Sequence, residues 1–180
     1  MLLQREQSCL LIVDVQERLT PVMTDPRRVI HHCTLLLRAA QRLTVPVVVS
    51  EQYPKGLGET MVDLRLLLAE GDILPKMSFS AAADPAVMAR LEHLGRKQIV
   101  IAGIEAHVCV LQTALDLKAR GLTPVVVADA CASRKTESEQ LAWARLAQAG
   151  VPLVSVEMVV FEWLDHAGTA EFKELSALIR

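Results

Sequence analysis

Apolar positions along the chain fall into two alternating patterns. Six short runs are dense in β-branched and aliphatic residues: Ser8 to Val13 (SCLLIV), Val45 to Ser50 (VPVVVS), Asp72 to Lys76 (DILPK), Gln98 to Ala102 (QIVIA), Thr123 to Ala128 (TPVVVA) and Val151 to Val156 (VPLVSV). Apolar character that continues without alternation is what a strand covered on both faces requires. Between the runs, apolar residues recur every three or four positions, the period of a helix with one buried face. Asp25-Pro26 supplies an N-cap and first-turn pair for a helix with the stripe Val29, Ile30, Cys33, Leu36, Leu37 and Ala40, reaching about Leu43. Met61 to Ala69 reads as a short helix closed by Gly71. Asp84-Pro85 opens another, with Val87, Met88, Leu91 and Leu94 buried and Gly95 as its left-handed stop. Val108, Leu111, Leu115 and Ala119 mark a fourth, ended by Gly121. Thr136 with Glu139 fits a capping box for a helix ending at Gly150, and a helical tail runs toward Arg180.

Strands alternating with helices in this way predict a three-layer α/β/α architecture around a mostly parallel six-stranded sheet, with right-handed crossovers. No linker or repeat divides residues 1–180, so one domain is expected. In such sheets ligands bind beyond the carboxyl ends of the strands, near the point where strand order reverses. Three residues with chemistry stand there. Asp14 closes the first run, Lys76 closes the third, and Cys109 lies about one turn into the helix after the fourth. A thiol in a first turn feels the positive helix end, and a nearby ammonium favours its thiolate further. A carboxylate beside it would take the thiol proton and return it to a leaving group. Each residue also has a structural reading. A buried cysteine packs as a small hydrophobe, an aspartate after a strand caps a loop, and a strand-end lysine is solvated. Spacing alone does not join the three.

Composition narrows the partners. With 19 basic and 21 acidic side chains in 180 residues, a net charge of -2 leaves no basic footprint for nucleic acid or an anionic membrane, so a small-molecule substrate is the default. No apolar run approaches the ~20 residues needed to cross a bilayer. Four cysteines, at 9, 33, 109 and 131, form no CxxC pair, and no leader-like segment opens the chain; a reduced, cytoplasmic protein is expected.

The stretches LLIVDVQERL (10–19), VVVSEQYPKGLGET (47–60), PKMSFSA (75–81), IVIAGIEAHVCVLQTALDLKARG (99–121) and VVVADACASR (126–134) carry more than pattern. Together they resemble the isochorismatase-like cysteine hydrolase superfamily and, within it, the isochorismatase domain-containing proteins of largely unassigned substrate. The match keeps its order over nearly the whole chain and is most specific in SEQYPKGLG and GIEAHVC. The resemblance implies the same three-layer fold and an Asp-Lys-Cys triad on Asp14, Lys76 and Cys109. By the same resemblance Cys109 attacks a carbonyl or similar carbon, Asp14 exchanges the proton and Lys76 stabilises the charged pair. It further implies a cis peptide between Ile104 and Glu105, and an oxyanion hole made by the amides of Glu105 and Cys109.

Departures from the family refine the expectation. Nicotinamidases of this superfamily carry an Asp-x-His metal motif after the second strand, where this chain reads Glu51-Gln52-Tyr53-Pro54, so no catalytic metal and no cofactor are expected. Isochorismatases proper cleave a vinyl ether and do not require the cysteine; its retention favours amide or carbamoyl hydrolysis through a thioester. Vinyl-ether hydrolysis, or a non-enzymatic, redox-responsive role for Cys109, are the alternatives. Gln16, Tyr53, Phe79 and Glu105 stand beside the triad residues and are candidates for lining the substrate pocket. His107 is adjacent to the site, with a solvated or supporting role. High apolar content, together with the family's habit of assembly, predicts a homo-oligomer.

Overall fold

β1 (Ser8–Val13) sits near the middle of a fully parallel sheet, paired on one side with β2 (Val47–Gln52) and on the other with β4 (Gln98–Ile104). β3 (Ile73–Lys76) extends the β2 side, while β5 (Thr123–Ala132) and β6 (Leu153–Val154) extend the β4 side, giving the order β3-β2-β1-β4-β5-β6. The chain therefore builds outward in one direction from β1 and then returns to build outward in the other. Strand order reverses between β1 and β4, and the crevice beyond their carboxyl ends is where this topology places a ligand. The computed structural model describes residues 1–179; Arg180, toward which the helical tail is expected to run, lies outside the described residues.

The unbroken hydrophobicity of β1 follows from two separate cores. Leu10 and Ile12 point to one face, where α1 (Pro26–Arg42), α7 (Val156–Leu164) and α8 (Ala170–Leu178) pack; Cys9, Leu11 and Val13 point to the other, under α4 (Pro85–Leu94), α5 (Leu111–Ala119) and α6 (Thr136–Gln148). All six β1 residues are buried. At ~1.5–3 kcal/mol for each large aliphatic side chain taken out of water, the two faces together favour one register over its one-residue slip. Asp25 accepts from the Arg28 amide and Asp84 from those of Ala86 and Val87, so both Asp-Pro pairs cap helices as expected.

Several boundaries differ from the sequence reading. Of the expected helix 61–69 only the single turn α3 (Val62–Arg65) forms, with a separate turn, α2 (Pro54–Leu57), in the loop before it; the segment between them pairs with the loop after β1, where Gln16 bridges Thr60 and the Met61 amide donates to the Val15 carbonyl. β5 runs four residues past Ala128, accommodated by a register shift opposite Ile101 and Gly103. The Thr136/Glu139 capping box does not form. Lys135 occupies the cap position, and the Glu139 carboxylate accepts instead from the Ser133 amide and the Thr24 hydroxyl, both at 2.8 Å. A buried acid takes the strongest donors in reach, and these come from tertiary neighbours.

Candidate active site

Asp14, directly after β1, adopts a left-handed backbone (φ 56) that an aspartate tolerates and most residues avoid. Its amide is held by the Ser50 carbonyl of β2, and the Ser50 hydroxyl donates to Oδ1 at 2.7 Å. The other carboxylate oxygen accepts from Lys76 Nζ at 2.7 Å, with both side chains fully buried. Lys76 reaches it because Gln52↔Lys76 is the last paired register of β2 and β3. The ammonium also donates to Gln52 Oε1 at 2.6 Å and to the carbonyls of Ser78 and Phe79 at 3.1 and 3.2 Å. Four acceptors thus face three N–H bonds. Gln52 has no freedom to turn, since its Nε2 donates to the Met77 carbonyl at 2.8 Å.

Close approach of β1 and β4 brings Cys109 to this pair. Gly103 has φ 118, and a Cβ there would lie 2.1 Å from the Val13 carbonyl oxygen, so only glycine fits against the strand that ends in Asp14. The next peptide bond, Ile104–Glu105, is cis. Residues Ala106–Val110 then form a wide π turn rather than the start of a regular α-helix, with the Val110 amide on the Glu105 carbonyl at 3.2 Å. Cys109 is 5% exposed and lies close enough to Asp14 for the carboxylate charge to act on its thiol.

The electrostatics reverse one expectation from sequence. Burial, then the charge of Asp14, push the Cys109 thiol up to about 12 against the pull of Lys76, which favours a protonated thiol over a preformed thiolate. Burial likewise pushes the Asp14 carboxyl above its ordinary value, although Lys76, Ser50 and Cys109 all pull it back. A more basic carboxylate beside a neutral thiol is a chemically suitable acceptor for its proton.

The candidate lining residues separate into two groups. Tyr53 and Phe79 are half exposed, at 49% and 56%, on the loops that follow β2 and β3, and the Tyr53 ring packs against Gly56. Gln16 and Glu105 offer a ligand less. Gln16 is fully buried, and its amide bonds the Gln52 and Gly58 carbonyls and the Gln52 amide, so it clamps the β2 loop to the β1 loop. Glu105 turns its carboxylate to the amide and Nε of Arg134, both at 3.0 Å. His107 Nδ1 meets the Ser133 hydroxyl at 2.8 Å and lines a hollow of about 320 Å3 with Arg134, Lys135 and Ser138. Among the described residues no three His, Cys, Asp or Glu side chains converge as a metal-holding group. Sequence reasoning missed Ser50 and Gln52; their signal was position alone, at the carboxyl end of a strand that runs two residues beyond its apolar run.

Fold and sequence together define a parallel three-layer α/β class with its crevice at the β1/β4 reversal. The Isochorismatase domain model matches residues 8–158, and the chain belongs to that family. Isochorismatase domain-containing protein 1 of Danio rerio is 38% identical over 167 residues, 93% of this chain and 59% of the relative, so the chain spans less than two thirds of that protein's length. The secreted isochorismatase effector Isc1 of Phytophthora sojae is 38% identical over 96% of this chain and 84% of its own. Among solved structures, the MAR1 ribonuclease of Caenorhabditis elegans superposes with a TM-score of 0.93 at 36% identity, covering 99% of this chain and 92% of that one. The YcaC gene product of Escherichia coli, described as an octameric hydrolase of unknown specificity, gives the same TM-score at 23% identity over 99% and 90% of the two chains, a likeness of fold. No helix among the described residues is long and apolar enough to cross a membrane.

Proposed function

We propose that the chain is a cysteine hydrolase acting on a small amide or carbamoyl substrate. The observation that carries this reading is a single buried carboxylate, Asp14, bonded to the Lys76 ammonium on one oxygen and facing the Cys109 thiol. As sulfur bonds to the carbonyl carbon, the thiol proton passes to Asp14 and the carbonyl electron pair moves onto oxygen, between the amides of Glu105 and Cys109. Collapse expels the amine with the proton held by Asp14 and leaves a thioester. Water then attacks with Asp14 as base, releasing the acid and restoring the thiol. Lys76 never transfers its proton. It keeps Asp14 charged in a site that would otherwise favour the neutral acid. No metal is needed, because the carboxylate activates the nucleophile and the amides stabilise the oxyanion.

A panel of small amides, ureas and carbamates, a vinyl ether and a short RNA tests the reading with parent protein and Cys109→Ala. Hydrolysis of an amide or carbamate that vanishes in the variant supports it. Turnover surviving the substitution overturns the mechanism, and cleavage of RNA alone would extend the activity named for the nematode relative instead. Assembly into a homo-oligomer belongs to the same reading: Tyr53, Met77 and Phe79 leave apolar surface beside the site that a second copy would cover, and light scattering checks it.

A further inference from the structure

We infer that the Ser80 hydroxyl is a substrate-binding group, bonding a nitrogen or oxygen carried next to the carbon that Cys109 attacks; the inference rests on Cys109 as nucleophile. Ser80 stands at the cap position of the 3-10 turn Ala81–Ala83, where a serine oxygen ordinarily accepts from an amide at the start of the turn; here it accepts none. The residue is 5% exposed, and its Oγ has no hydrogen-bond partner among the described residues. Its carbonyl is engaged by contrast, accepting from the Ser78 hydroxyl at 2.9 Å and from the Ala83 amide at 3.2 Å. A buried, unpaired hydroxyl destabilises a fold unless something else uses it.

Its neighbours say where it lies. On one side, the Phe79 carbonyl accepts from Lys76. On the other, the Ala81 amide donates to Thr113 Oγ1 at 2.8 Å, and Thr113 is four positions after Cys109 on the same run of helix. Ser80 therefore joins a residue that cages the ammonium to one held by the helix that carries the thiol, through Thr113, about one helical turn after Cys109. Ala81 and Ala82 pack in the same apolar cluster as Cys109, and the hydroxyls of Ser78 and Thr113 are spent on the Ser80 carbonyl and the Ala81 amide. A carbamoyl group, with a second heteroatom flanking the carbonyl, would satisfy it; a substrate with only hydrocarbon at that position would leave it bare.

The test uses two thiol reagents of similar size: acrylamide, which carries an amide, and allyl bromide, which carries no hydrogen-bonding group. Alkylation rates of Cys109, read by peptide mass mapping, are compared in the parent and in Ser80→Ala. The ratio of acrylamide to allyl bromide rates should fall about three- to tenfold in the variant, the effect of one lost hydrogen bond. The melting temperature should stay the same or rise, because an unpaired buried hydroxyl has been removed. An unchanged ratio overturns the inference, as does a marked loss of stability, which would give the hydroxyl a structural partner. Should Cys109 react no faster than the other three cysteines with either reagent in the parent, the nucleophile assignment itself fails, an outcome distinct from both.

Discussion

Two carboxylates of this protein face cations at nearly the same distance and behave in opposite ways. Asp14 lies 2.7 Å from Lys76 with both side chains sealed from solvent; Glu171 lies 3.0 Å from Arg42, each one-third exposed, with Glu174 adding a second contact at 2.7 Å. Burial pushes the Asp14 carboxyl up despite its partner. Glu171, bonded first by its own amide and then by Arg42, is held below its ordinary value. Proximity of an ion pair therefore does not set the chemistry of its carboxylate. Removal of water does, and it converts a stable anion into a base with a proton to gain.

The comparison breaks most visibly at Lys76. Replacing it with methionine leaves Asp14 buried without a counter-charge, a change expected to cost ~3–5 kcal/mol of stability and all measurable turnover. Urea unfolding checks the first, and retention of parental stability would mean the buried pair is not coupled as its geometry requires. Acid sharpens the contrast through sign. In the proposed mechanism turnover requires ionised Asp14, whose raised pKa places the acidic limb of the rate profile above the ordinary carboxyl value of 3.8. Protonating Asp14 nevertheless favours the folded state, because a group whose folded pKa is raised contributes stability at low pH and loses it as pH climbs. Glu171 runs the other way: its stabilisation is present above its ordinary 4.5 and is lost as pH falls. Activity should thus disappear on acidification before circular dichroism records unfolding; simultaneous loss of both would contradict the assignment.

Smaller effects remain. Gln52→Leu removes one acceptor from the ammonium and frees the Met77 carbonyl, and a drop of about tenfold in the Cys109 alkylation rate is expected from the mispositioned pair. A rate equal to the parent's would reduce Gln52 to a packing residue. Arg42→Ala should move neither the rate nor the thermal midpoint appreciably, since exposed pairs contribute little. A large shift there would erase the distinction between the two sites.

How much of this was legible in the sequence depends on the range of the interactions. β1 could be bounded to the residue, because SCLLIV must hide both faces and Asp14 cannot. The Asp25-Pro26 and Asp84-Pro85 caps were equally plain, being complete within four residues. Glu139 misled for the opposite reason: its partners, Thr24 and Ser133, reach it through tertiary packing, and a local capping rule had nothing to say about them. The π turn at Ala106–Val110 was hidden because Val108 within it and Leu111 and Leu115 after it keep ordinary helical spacing. For the candidate site, strand ends pointed to Asp14 and Lys76, and the family resemblance joined them to Cys109. The protonated state of the thiol was out of reach, since it follows from how completely water is excluded, a property of the folded chain and not of any motif.

β3 is an edge strand of four residues, and the residue before the lysine it delivers is Pro75. Proline offers no N–H to an incoming strand, and exposed Pro75 interrupts the donors along this border of the sheet. The edge nearest the reactive centre is thereby blunted against strand addition by other molecules. The protein can hold a cationic side chain at the end of a short, outermost strand without turning that strand into a template for aggregation.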